Sequence, residues 1–118
     1  MSRRRSRGGA PELVTIYWRD IPAQINASAG AEKARAILGD RFQHAIDRAA
    51  TVADKTETEA YVAEWRRLTR TIEGDPQAAA EAERERIESE YDPERLEALV
   101  WSGGVDEAGS PFTSDGES

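Results

Sequence analysis

A chain of 118 residues with 16 Lys plus Arg, 23 Asp plus Glu and a formal net charge of −7 fits one small acidic domain. The absence of cysteine excludes disulfides, Cys-ligated zinc and Cys nucleophiles and suits a reducing cytoplasm. The single histidine, His44, excludes multi-His metal sites. No apolar run approaches the ~20 residues that span a bilayer, and none follows the N-terminal arginines as a secretory leader requires, so a cytoplasmic protein is expected.

Residues 1–10 carry four arginines with Ser and Gly, and residues 102–118 carry four acids, no base and many Gly and Ser. Neither has the apolar surface to offset an ordering entropy of ~1–2 kcal/mol per residue, so both are expected to be disordered tails. Their charges cancel. That leaves the whole −7 to a domain over 11–101 and argues against a general polyphosphate-binding surface. Within it, Glu12–Trp18 reads as a strand, with apolar residues on both faces as in an inner or well-covered strand. Pro22 sets a bend over Arg19–Ala23, and Ala23–Ala29 alternates weakly as a second strand. Ala31–Leu38 reads as a short helix closed by Gly39.

Asp40 with Gln43 gives a capping-box pattern for a helix reaching Ala53, with Phe42, Ala45, Ile46, Ala49 and Ala53 on one apolar face. Thr56 with Glu59 gives a second such pattern, placing Ala60, Tyr61, Trp65 and Leu68 inward. Leu68–Glu73 fits both a helical stripe and a strand-like alternation. The strand is favoured, because Arg66-Arg67 followed by Thr69 and Thr71 weakens a helix. Asp75-Pro76 and Asp92-Pro93 mark the starts of helices over about Gln77–Tyr91 and Glu94–Trp101, Asp as N-cap and Pro in the first turn. The fold class is therefore α+β: a small single domain of two or three antiparallel strands packed with four or five helices.

The densest chemistry lies in Tyr17-Trp18-Arg19-Asp20-Ile21-Pro22, where an aromatic pair, a guanidinium and a carboxylate meet at a strand end. Such a group anchors a partner or an anionic ligand, or else closes a bend around a core aromatic. Trp18, Arg19, Asp20 and Gln24 are read as one recognition edge. Arg41, His44 and Arg48 form a basic stripe opposite the Phe42/Ile46 face, a pattern that pairing along a wet helix also produces. Trp65 and Arg66 complete the set of candidate partner-binding residues; Trp65 also has core spacing, and Arg66 with Arg67 suits a helix C-terminus. The Arg3-Arg4-Arg5-Ser6-Arg7 run supports only weak, salt-sensitive contact with nucleic acid. Neither a phosphate-binding Gly-rich loop, a nucleophile elbow nor a zinc-protease motif is present, so no catalytic residue, metal ligand or cofactor site is assigned.

Val14–Gln24 (VTIYWRDIPAQ), Arg41-Phe42, Ala45–Ala50, Ala60-Tyr61, Ala63–Arg67 and the acidic Glu88–Leu96 region resemble a small bacterial family of virulence factors. The resemblance covers roughly residues 12–100 and carries no catalytic residues with it. It implies kinship with a segment of a larger conserved virulence protein that has a scaffold-like domain and helical repeats. It also implies a link to folate- and corrinoid-dependent methyl transfer, near whose proteins stand-alone members are encoded. The chain departs from the family at Ile25–Gly30, where a more β-branched, basic stretch is usual.

Size, two charged tails and the aromatic–Arg segments lead to a non-enzymatic accessory module of a cytosolic bacterial complex. Its partner is expected to be a protein. The alternative is a small subunit that binds an anionic small molecule or acts in methyl transfer, using a pocket of Arg19, Asp20 and His44. Weak nucleic-acid contact through the arginine tail is a third reading.

Overall fold

The computed structural model describes residues 10–106. The arginine run and residues 107–118 lie outside the described part, and with them the readings made for Arg3–Arg7 and most of the acidic tail. The elements in chain order are β1 (Glu12–Trp18), β2 (Ile21–Ala29), β3 (Glu32–Ile37), α1 (Asp40–Val52), α2 (Thr58–Val62), β4 (Trp65–Thr71), α3 (Pro76–Glu90) and α4 (Pro93–Trp101). The class is α+β, as the sequence indicates, but among the described residues the strands number four and all pair antiparallel in the order β3-β2-β1-β4. β1 is an inner strand, paired on both edges, by β2 and by β4.

The extra strand is β3, which replaces the helix expected over Ala31–Leu38. Ala, Glu, Lys and Arg favour a helix locally, but Ala34 and Ala36 pair with Ala27 and Ile25 and turn toward the core. Lys33, Arg35 and Ile37 then point to the other face. Gly30, at φ 64, opens the two-residue turn Gly30-Ala31 that joins β2 to β3. Gly39 consequently caps the start of α1 instead of ending a helix, and Asp40 is the first helical residue with no side-chain capping bond. The Thr56–Glu59 box is likewise not formed, since Glu57 takes the N-cap position of α2. Trp65 and Leu68 belong to β4, not to a continuing helix, so the favoured strand begins three residues earlier than Leu68.

The helix starts with strong local chemistry form as read. Asp75 accepts from the Ala78 N–H and Asp92 from the Arg95 N–H, each at 2.9 Å, with Pro following in the first turn. α3 lies across one face of the sheet over β1, β2 and β3, while α1 packs on α4 and on β2. Leu13, Ile25, Ala27, Phe42, Ile46, Ile87, Leu99 and Val100 form the core between them. A bulge at Ala23 shifts the β1–β2 register between Ile16↔Gln24 and Tyr17↔Pro22, which lets Pro22 sit inside the strand pair.

Candidate functional site

The Trp18–Asp20 segment leads into the two-residue turn that joins β1 to β2. Trp18 is fully buried; its Nε1 donates to the Tyr61 carbonyl at 2.9 Å and its ring stacks on Tyr61 at 5.6 Å between centroids. Arg19 stands at φ 54, a left-handed conformation that costs an L-residue about 1–2 kcal/mol. The surroundings hold it there. Its N–H donates to the Glu64 carbonyl, its Nε to the Glu64 carboxylate at 3.1 Å, and an Nη to the Gly103 carbonyl at 3.1 Å.

Asp20, only 1% exposed, accepts from the Asp106 N–H at 2.7 Å, lies near Arg66, and gives its own N–H to the Gly104 carbonyl. Residues 102–106, assigned by composition to the acidic tail, are thus drawn onto this turn. Gly104 must be glycine, because a Cβ there would meet the Trp18 ring at 3.1 Å and its φ is 91. The Arg19 guanidinium holds the Glu64 carboxyl below the usual carboxylate range.

The basic stripe of α1 is also engaged within the fold. Arg41 donates to the Glu88 and Tyr91 carbonyls at the end of α3, at 2.7 and 3.0 Å. Arg48 makes a two-pronged pair with Glu97 of α4 at 2.8 and 2.9 Å. His44 lines a shallow groove beside Arg48, Pro93 and Leu96. Gly103, which holds Arg19, sits against Ala53 at the far end of α1, about 13 Å along the helix from His44 at 1.5 Å per residue. Arg19, Asp20 and His44 therefore do not converge on one pocket.

A second buried polar cluster ties β4 to α3. Glu83 is 6% exposed and accepts from both Arg70 and Arg86. Burial alone would raise its carboxyl; the two guanidinium groups outweigh that and hold it low. Tyr17 is pushed up to about 12, first by burial and then by the nearby Tyr91 and Glu83.

The face of the sheet opposite α3 is different. The pairing register sets three rows across it: Lys33-Ser28-Glu12-Thr71, Arg35-Asn26-Val14-Thr69 and Ile37-Gln24-Ile16-Arg67. Lys33, Arg35 and Arg67 are exposed, and none makes an ion pair or hydrogen bond with another described residue. The other described Arg and Lys side chains all have carboxylate or carbonyl partners. Two grooves run over this face. One of about 520 Å³ is lined by Lys33, Arg35, Arg67, Glu12 and Asn26. The other, of about 510 Å³, is lined by Ile16, Ile37, Gln24, Gln43 and Trp65. Ile37 is 63% exposed here.

The family model described as virulence factor matches residues 16–100, from the middle of β1 to the end of α4. The protein belongs to the virulence-factor family. No curated protein and no solved structure matches the chain. Among the described residues of this virulence-factor domain, no cluster of His, Cys, Asp or Glu is arranged to hold a metal ion, and no helix is long and apolar enough to cross a membrane.

Of the eight candidate residues, the structure brings Gln24 and Trp65 to the open face of the virulence-factor domain. It places Trp18, Arg19 and Asp20 in the turn, Arg66 beside them on Glu64 and Asp20, and Arg41 and Arg48 between helices. Lys33, Arg35 and Ile37 are not singled out by sequence reasoning, and Arg67 is noted there only as a helix-end arginine. The signal is the alternation of Lys33, Arg35 and Ile37 with Ala34, Ala36 and Leu38, legible only if the segment is taken as a strand.

Proposed function

We propose that this virulence-factor domain is a non-catalytic protein-interaction module, an accessory piece of a cytosolic bacterial complex, and that it docks its partner on the open face of the sheet. One observation carries the reading: among the described residues the uncommitted cations all stand on that face, together with Ile37, Gln24 and the Trp65 groove. The aromatic–arginine turn, by contrast, has its polar groups taken up inside the fold. The link to one-carbon metabolism rests on the family resemblance and belongs to the identity of the partner.

Photo-crosslinking tests the reading. A benzophenone amino acid at position 37 of the full chain should capture a protein partner in cells, and the same group at position 44, on α1, should not. Equal capture from both positions, or none from position 37, overturns the docking face. Adding folates or corrinoids to the lysate should alter the crosslinked species if the partner is a methyl-transfer protein.

A further inference from the structure

Among the described residues β3 is an edge strand, so one side of its backbone has no strand neighbour in the sheet. Along it the side chains facing the open surface are Lys33, Arg35 and Ile37, two uncommitted cations followed by an exposed aliphatic. Successive residues on one face of a strand are about 6.7 Å apart. An extended polypeptide lying beside β3 presents its own alternate side chains at the same interval, directly across from these three. We infer that the domain recognises an extended segment of the pattern acidic–x–acidic–x–apolar, added parallel to β3 as a fifth strand, with carboxylates beside Lys33 and Arg35 and the apolar residue beside Ile37.

Peptide hydrogen bonds to the free edge supply affinity in such strand addition, and the alternate side chains supply the choice of sequence. The apolar end of the segment lies toward the groove of Ile16, Ile37 and Trp65. Arg67, across the sheet in the same cationic groove, adds positive potential without a partner of its own. Charge complementarity selects a carboxylate-bearing protein over a nucleic acid. The chain as a whole is at −7, Glu12 stands among the cations, and the face carries Val14, Ile16 and Ile37 where a phosphate backbone would want continuous positive charge. Among the described residues the register sets one aromatic pair side by side, Trp18 with Trp65, and Trp18 is fully buried, so no exposed aromatic row offers stacked bases a platform.

The inference rests on the docking face proposed above but fails separately from it. The test uses the full chain and a short fluorescein-labelled peptide alternating Glu-x-Glu-x-Leu, beside its Gln-for-Glu counterpart and an oligothymidylate. Fluorescence anisotropy should show the acidic peptide binding roughly tenfold tighter than the neutral one, with the advantage shrinking as salt is raised. The K33E/R35E/R67E variant should lose that advantage while keeping its thermal midpoint. Amide exchange should slow along β3 and not along β4 when the peptide is bound. Tighter binding of oligothymidylate overturns the inference, as does equal binding of the two peptides, protection on β4, or no binding at all. If the crosslink from position 37 to a protein partner survives K33E/R35E/R67E unchanged, the docking face stands and the acidic pattern falls.

Discussion

Two parts of this molecule are rich in arginine and have an aromatic nearby, and they do opposite things. At the β1–β2 turn, Trp18, Arg19 and Asp20 have their polar atoms matched by Tyr61, Glu64, Gly103, Gly104 and Asp106. On the open sheet face, Lys33, Arg35 and Arg67 stand around one groove with no described residue to pair with. A guanidinium whose donors are matched internally maintains the fold, and binding a ligand would cost it those bonds. An exposed one keeps its donors for something else. Counting partners separates the two regions where counting residue types does not.

The sharpest way to break this contrast is Trp18→Ala. Truncating a fully buried aromatic should cost about 3–5 kcal/mol, read by urea unfolding followed through tyrosine and tryptophan emission. A loss below about 1 kcal/mol would mean the turn is not part of the core. Asp20→Ala comes next, at about 1–3 kcal/mol, because it leaves the Asp106 N–H without its acceptor. Asp20→Asn, which retains an acceptor oxygen, should lose less, and exchange of the Asp106 amide should quicken most in the alanine variant.

Titration sharpens the comparison from another side. The Glu64 and Glu83 carboxyls are held low in the folded state, so their contribution is complete above about 4.3, the ordinary value for an unfolded glutamate, and is lost as pH falls through their lower folded values. Tyr17 behaves in the opposite sense. With its hydroxyl pushed up to about 12, its contribution is complete below about pH 10 and is lost as pH rises from there toward 12. Denaturant midpoints measured across pH should therefore fall at both extremes. Glu83→Gln should flatten the acid limb and Tyr17→Phe the alkaline one. The smallest effects belong to the open face: Lys33→Gln, Arg35→Gln and Arg67→Gln should each change stability by no more than about 0.5 kcal/mol. Partner capture from position 37 should nonetheless weaken.

Much of the frame is legible in the amino-acid sequence. β1 announces itself by its β-branched and aromatic run, and α3 and α4 by Asp-Pro starts whose capping bonds form at 2.9 Å. The element that sequence reasoning misses is β3. Its Ala-Glu-Lys-Ala-Arg-Ala composition favours a helix, and only the neighbouring β2, reached through the Gly30 turn, makes the period-two reading win. Missing β3 also hides the open face, because Lys33, Arg35 and Ile37 share a side only in a strand. The aromatic–arginine turn attracts attention for a related reason. Its partners Glu64, Gly103 and Asp106 lie 45, 84 and 86 residues away in sequence, so nothing local tells that Arg19 and Asp20 are engaged.

Those separations have a consequence for how the protein is made. On the ribosome the β1–β2 hairpin emerges before α4, with Arg19 in a backbone conformation it does not favour by itself and Asp20 facing burial before the Asp106 N–H is made. The groups that settle both residues include backbone atoms of Gly103, Gly104 and Asp106, among the last described residues to be synthesised. The hairpin is therefore finished only after translation has passed α4. A nascent chain stalled short of residue 103 should remain open to protease at a turn that the completed chain closes.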